Sequence, residues 1–388
     1  MTRPNPRPTN APGLRTPWWT CLTEPASPFR HVAALALALL AIPCLPACAA
    51  PRHATVAPPP PPAELFGLPE ACLAHVIAVP LLTNSGSPII PATFNGVSGL
   101  SYVSVTQGRM GVYARAPDDF PVEAPVRIQT IAGTGMTYTT VLNELRISNG
   151  TARDIPAVME GIGWPQLNDM PVLGIIGYDI LCNYNVLFDF PARRMVLFLT
   201  TDAPGCTPTR NWVDADGMAT PLLPDAEGRL TGITVQFGDH PVRMEIEPGA
   251  DMSSLTRKVA RGVGLSAAIL HRDMNVRTNA GRILTGRRHH FDGITIGAWR
   301  DLPLDVNIEK TTYNVLGMNF LRRRRILLAF PQGMVFMSPQ QPVPDDRGQA
   351  THGLLSTRTA IARLIDMAPP PDAPAPAGTA TPPPPSPP

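Results

Sequence analysis

Charge is scarce in this sequence. Asp, Glu, Lys and Arg make up 16% of its 388 residues, and they nearly cancel, 32 cations against 30 anions. That balance leaves no basic stripe of the kind a nucleic-acid surface needs, so a nucleic-acid partner is not expected. Lysine is almost missing: 30 of the 32 cations are arginine, a compositional bias and not guanidinium chemistry. Long apolar runs are lacking as well. The run from Val32 to Ile42 stops after 11 residues at Pro43, short of the roughly 20 that a membrane-spanning helix requires. Metal ligands do not gather. His289 and His290 are neighbours, and neighbours on a strand point to opposite faces, so neither a metal nor any other cofactor is expected.

Proline is abundant but uneven, with 26 of 48 in residues 1–62 and 369–388. The middle then holds an ordinary share for a globular segment, which excludes a fibrous or wholly disordered chain. Arg3, Arg7, Arg15 and Arg30 precede the apolar run, and small residues follow it. This is the order of a secretory leader. Leu45-Pro46-Ala47-Cys48 resembles the bacterial lipobox, in which Cys48 would carry the lipid; plain cleavage near Ala50 is the alternative. Five prolines from Pro58 to Pro62 read as an extended, semi-rigid spacer. The expected organisation is a leader at 1–48, a proline-rich linker at 49–70, folded lobes at 71–204 and 205–340, a segment with a short helix at 341–368, and a disordered proline-rich tail at 369–388. The location so implied is the periplasmic side of a bacterial envelope, with the membrane touched only through a lipid anchor.

Six cysteines are present. Cys21 and Cys44 leave with the leader, and Cys48 is lipidated or removed. Cys72 stands just before the first strand pattern and Cys206 just after the first half, so a Cys72–Cys206 bridge would close the first lobe in an oxidising compartment. Cys182, in an apolar run, reads as a small buried hydrophobe. Arg322 to Arg325 reads as a solvated start to the following strand.

Short runs of alternating apolar and polar residues, separated by turn residues, predict strands throughout the middle. The pattern occurs twice. A hairpin over 75–94 ends at Asn95-Gly96-Val97-Ser98, and one over 232–247 ends at Pro248-Gly249-Ala250-Asp251. Gly-bearing hairpins follow around Gly133 and Gly135, and around Gly281. Then come Leu173-Gly174-Ile175-Ile176-Gly177-Tyr178-Asp179-Ile180-Leu181 and Val315-Leu316-Gly317-Met318-Asn319-Phe320-Leu321, each with a strand pair behind it. A helix is predicted at about Thr256 to Gly262.

A hairpin ending in a small-residue corner, a Gly-bearing flap and an apolar-apolar-Gly-x-Asp-x-Leu run, in that order, resemble the lobe of a retropepsin-like aspartyl protease. The resemblance covers residues 72–338. It implies an all-β, bilobal pair of pepsin-like or retropepsin-like barrels with short helices and a cleft between them. In that family each lobe brings one Asp from an Asp-Thr-Gly corner, and two close carboxylates share a proton, so that one acts as acid and the other as base. Here the second lobe reads Glu247-Pro248-Gly249, with Glu247 at the acid position. The first lobe aligns Phe94 with the Asp, Asn95 with the Thr and Gly96 with the Gly, so its carboxylate is lost. The expected function is a non-catalytic module that holds an extended peptide or unfolded protein segment by strand addition. The alternatives are an atypical aspartic endopeptidase built on Glu247, and a structural envelope protein.

Overall fold

The computed structural model describes residues 66–342 apart from 84–86, 117–118, 164, 168 and 281. The leader with Cys48, the proline spacer, the short helix expected within 341–368 and the proline-rich tail lie outside the described residues, as does Gly281.

Alternation of side chains builds the strands. Gly133–Ile147 begins with exposed residues at every second position and ends with buried ones, so half of it rises out of the core. Leu230–Phe237 has five buried and three half-buried positions and lies in the core of the second lobe. Asn95 and Gly96 have φ of 47° and 82°, the left-handed pair of a two-residue hairpin turn. They join Ile89–Phe94 to Val97–Val103, with Phe94 opposite Val97.

Both halves have one topology. In the first, the strands run Ile89–Phe94, Val97–Val103, Met110–Ala114, Pro125–Thr130, Gly133–Ile147, Gly150–Ile162 and Met170–Ile176. In the second they run Leu230–Phe237, His240–Ile246, Ser253–Thr256, Met274–Asn279, Ile283–Ile296, Trp299–Glu309 and Val315–Leu316. Numbered within each half, the spatial order is 1-2-7-3-6-5-4 in both, and in both the first strand also pairs with the fifth, curling the sheet towards a barrel. The helix expected near 256 runs Arg257–Gly262, capped by the Thr256 side chain, and a second follows at Ala267–Arg272.

A third sheet joins the halves, which the repeat alone does not announce. Its six strands are, in order, Leu73–Pro80, Arg194–Thr200, Asn185–Asp189, Arg325–Ala329, Met334–Met337 and Met218–Pro221. The seam is the antiparallel pair of Asn185–Asp189 with Arg325–Ala329. Leu187, Phe198, Leu327 and Trp212 pack on this sheet together with Cys72 and Cys206, which form a disulfide across 134 positions of sequence. Closing a loop of that length contributes about 5 kcal/mol by restricting the unfolded chain. Cys182 is free and buried.

In the arginine run Arg323 is exposed, as expected, but Arg324 and Arg325 correct the solvated reading. Arg324 is 2% exposed, lies between the rings of Trp299 and Phe320 at 4.7 and 4.4 Å, and donates to the carbonyls of Phe320 and Ser338. Arg325 holds the carbonyls of Phe66 and Val213. Aromatic faces and carbonyls replace water around these cations.

Candidate functional site at the junction of the lobes

In the second lobe the parallel pairing of Glu245 with Val315 and Ile246 with Leu316 leads the chain to a corner at Glu247. The Glu247 amide donates to the Leu316 carbonyl at 3.1 Å, and the Met318 amide donates to the Ala250 carbonyl at 2.8 Å. Asn319 Oδ1 then accepts from the Ser253 amide at 2.7 Å. Gly317 is required by close approach: a Cβ there would stand 2.7 Å from the Ala250 carbonyl oxygen.

The first lobe repeats each of these bonds. Val103 pairs with Ile176, the Ser104 amide donates to the Ile176 carbonyl at 3.1 Å, and the Tyr178 amide donates to the Gln107 carbonyl. Asp179 Oδ2 accepts from the Met110 amide at 2.8 Å. The residue facing Glu247 is therefore Ser104, with Val105, Thr106 and Gln107 matching Pro248, Gly249 and Ala250. This corrects the position expected for the first corner. Phe94, Asn95 and Gly96 belong to the hairpin turn one strand earlier, and Phe94 is packed in the core of its lobe. Gly249 stays at the corner, as expected, with its amide donating to Glu247 Oε1.

Glu247 crosses the junction. Its Oε2 accepts from Ser104 Oγ at 2.8 Å, from the Thr106 amide at 2.9 Å and from Thr106 Oγ1 at 2.6 Å. The carboxyl is 6% exposed. Burial pushes its pKa up, and the hydrogen bonds from Thr106, Ser104 and Gly249 oppose that in part. Tyr313 lies alongside, its hydroxyl pushed up to about 12, first by burial and then by the charge of Glu247. Ser87 Oγ donates to the Gly249 carbonyl at 2.8 Å, and the Leu230 amide donates to the Tyr178 hydroxyl at 3.0 Å. Both bonds also join the lobes.

Each lobe raises a hairpin over this junction. Gly133, with φ of 147°, follows the tip of the first, and Gly135 sits within its returning strand opposite Ile128. That tip rests on the second lobe. The Thr312 amide donates to the Ile131 carbonyl at 3.0 Å, and Thr312 Oγ1 donates to the Thr130 carbonyl at 2.6 Å. Arg282, from the tip of the second hairpin, lies against Gly133. His289 and His290 go to separate acids, Asp273 and Asp305. Among the described residues no three His, Cys, Asp or Glu side chains gather as a metal site.

Residues 233–323 match the family described as gag-polyprotein putative aspartyl protease, a span that contains Glu247, the second hairpin and Gly317. No curated protein matches the sequence. Among solved structures, the aspartic proteinase from Irpex lacteus is similar at 10% identity and a TM-score of 0.40, over 69% of this chain and 98% of that one. The two halves share one strand order, and the second of them, across its corner at Glu247, is similar to that aspartyl protease family.

Proposed function

We propose that this protein is a non-catalytic member of the aspartyl-protease-like group that binds an extended peptide or unfolded protein segment in the bacterial envelope. One observation carries the reading. Where two carboxyls would share a proton, Glu247 meets the hydroxyls of Ser104 and Thr106. Peptide hydrolysis by this route needs separate acid and base groups on an activated water. The serine and threonine hydroxyls donate hydrogen bonds but do not ionise near neutral pH, so they do not replace the second carboxyl as acid or base, and Glu247 Oε2 already accepts three donors. The hairpins over the junction are kept, and binding by strand addition needs them but not the pair of acids.

The test is incubation of the full chain with a mixed peptide library from pH 3 to 7, read by mass spectrometry beside Glu247→Ala. The expected result is retention of a subset of peptides without cleavage by either protein. Cleavage by the wild type that disappears in the variant would return the protein to the endopeptidases. Retention of nothing would leave a structural envelope role.

Export and anchoring rest on residues 1–48, where four arginines precede an 11-residue apolar run and Leu45-Pro46-Ala47-Cys48. The full chain made in a Gram-negative host is expected to enter the detergent phase, and Cys48→Ser is expected to move it to the aqueous phase. A wild type that stays aqueous removes the anchor.

A further inference from the structure

The second lobe carries three buried oxygens that have no hydrogen-bond partner among the described residues: Ser254 Oγ, Glu309 Oε1 and Thr311 Oγ1. Nearly all buried polar groups in folded proteins are paired, so three on neighbouring segments require a reason. They lie on one stretch of the fold. Ser254 pairs with Val315 and with Asn307, and Thr256 with Glu309. Asn307 and Glu309, two apart on a strand, share a face. Gly286 makes room there, since a Cβ on it would stand 2.6 Å from Glu309 Cγ. The Thr278 hydroxyl reaches the Glu309 carboxyl and accepts from Asn307 Nδ2 at 3.3 Å. Arg288 is engaged by Asn307 Oδ1 and Arg257 by the Thr285 carbonyl. From Glu309 the chain runs through Thr311 to Thr312, which holds the first hairpin tip, and to Tyr313, which feels the charge of Glu247. The cluster thus borders the junction.

The first lobe supplies an internal control. Its residue matching Glu309, one position beyond the paired Met159, is Glu160. Glu160 Oε1 accepts from Gln107 Nε2 at 2.8 Å. The residue matching Gln107 in the second lobe is Ala250, which has no donor to offer. The residue matching Ser254 is Gly111, which adds no hydroxyl. One lobe completes its carboxyl with its own amide, and the other leaves one carboxyl oxygen and two hydroxyls unpaired among the described residues.

We infer that Glu309, Ser254 and Thr311 form a polar subsite of the second lobe for a peptide side chain that donates hydrogen bonds, a carboxamide or an ammonium, in the role Gln107 plays against Glu160. The inference rests on the peptide-binding reading and adds the class of side chain that the site selects. An alkyl side chain there leaves the three oxygens unpaired and is rejected, because unpaired buried polar groups penalise the complex that lacks their partner.

The experiment uses the full chain and extended peptides of one sequence in which Leu, Gln or Lys is placed at each position in turn, with affinity read by fluorescence anisotropy. At one position Gln and Lys are expected to bind about tenfold more tightly than Leu. Glu309→Leu is expected to erase that preference while Leu peptides still bind. Glu309→Gln, close to the same shape, is expected to weaken Lys more than Gln. Ser254→Ala, a smaller change, is expected to reduce the preference of both. Equal binding of Leu, Gln and Lys by the wild type, or a preference unchanged in all three variants, overturns the subsite and leaves peptide binding intact. Binding of no peptide by the wild type overturns the binding reading and this inference with it.

Discussion

Glu247→Ala is expected to lower the stability of the protein by about 4 kcal/mol. The magnitude follows from what the carboxylate holds. Three donors from the first lobe and one amide from its own corner end on it. Its removal leaves Ser104 Oγ, Thr106 Oγ1 and two amides facing a cavity, and each unpaired buried donor costs roughly 1–3 kcal/mol. Relief of a buried negative charge, which already pushes the Glu247 pKa up, offsets part of that sum. For a body of this size the loss corresponds to a melting temperature lower by roughly 10 °C. Glu247→Asp separates the two meanings of this residue. It restores the acid found in the protease family but is one methylene shorter, so its carboxylate draws back from Ser104 and Thr106. If Glu247 is a clasp between lobes, the Asp variant is destabilised nearly as much as the Ala variant and gains no cleavage. Thermal unfolding with a peptide-cleavage assay on the same samples decides the matter. A fully stable Asp variant that cleaves peptides would show that the longer side chain only suppresses a competent site.

Much of this arrangement is legible in the sequence, and the part that is not has physical causes. The second corner is readable because Glu247, Gly249 and Gly317 keep the carboxylate, the tight turn and the close approach that the fold needs. The first corner has lost every one of its chemical marks: Ser104-Val105-Thr106 resembles any strand end. Asn95-Gly96 offers a small-residue corner nearby, but its left-handed backbone belongs to a hairpin. One signal favoured the true position. From Gly96 to Gly177 is 81 residues, against 68 from Gly249 to Gly317, whereas Thr106 to Gly177 is 71. The seam of Asn185–Asp189 with Arg325–Ala329 spans about 140 positions, and no local pattern encodes such a pairing. The run Arg322 to Arg325 misled for another reason. A charge count does not reveal that Trp299 and Phe320 will sandwich a guanidinium.

Acid is expected to stabilise this protein: its resistance to denaturant at pH 4 should exceed that at pH 7 by about 4 kcal/mol. Burial raises Asp179 from 3.8 to about 6 and Glu160 from 4.5 to about 6, in each case against hydrogen bonds that lower it. A folded-state pKa above the unfolded value means that the native state keeps its proton where the unfolded chain has released it. Below about pH 3 the two states bind nearly the same number of protons, and at pH 4 most of the stabilisation from the neutral buried acids is still present. As pH rises from about 4 to about 6 the unfolded chain ionises first and gains in relative stability; above that window both states are ionised and the loss is complete. Shifts of this size amount to roughly 2 kcal/mol for each group. Glu247 and Glu309 are shifted in the same direction, and among the described carboxyls Asp119, lowered by Arg115, works against them. The protein itself suggests the control. Asn319 occupies in the second lobe the place of Asp179 in the first, and accepts from Ser253 as Asp179 does from Met110. Asp179→Asn is therefore expected to fold and to remove about half of the pH dependence, measured as guanidinium midpoints at half-unit steps from pH 4 to 7. A midpoint that rises with pH across this window would mean that Asp179 and Glu160 are ionised in the folded state, held by donors that outweigh their burial.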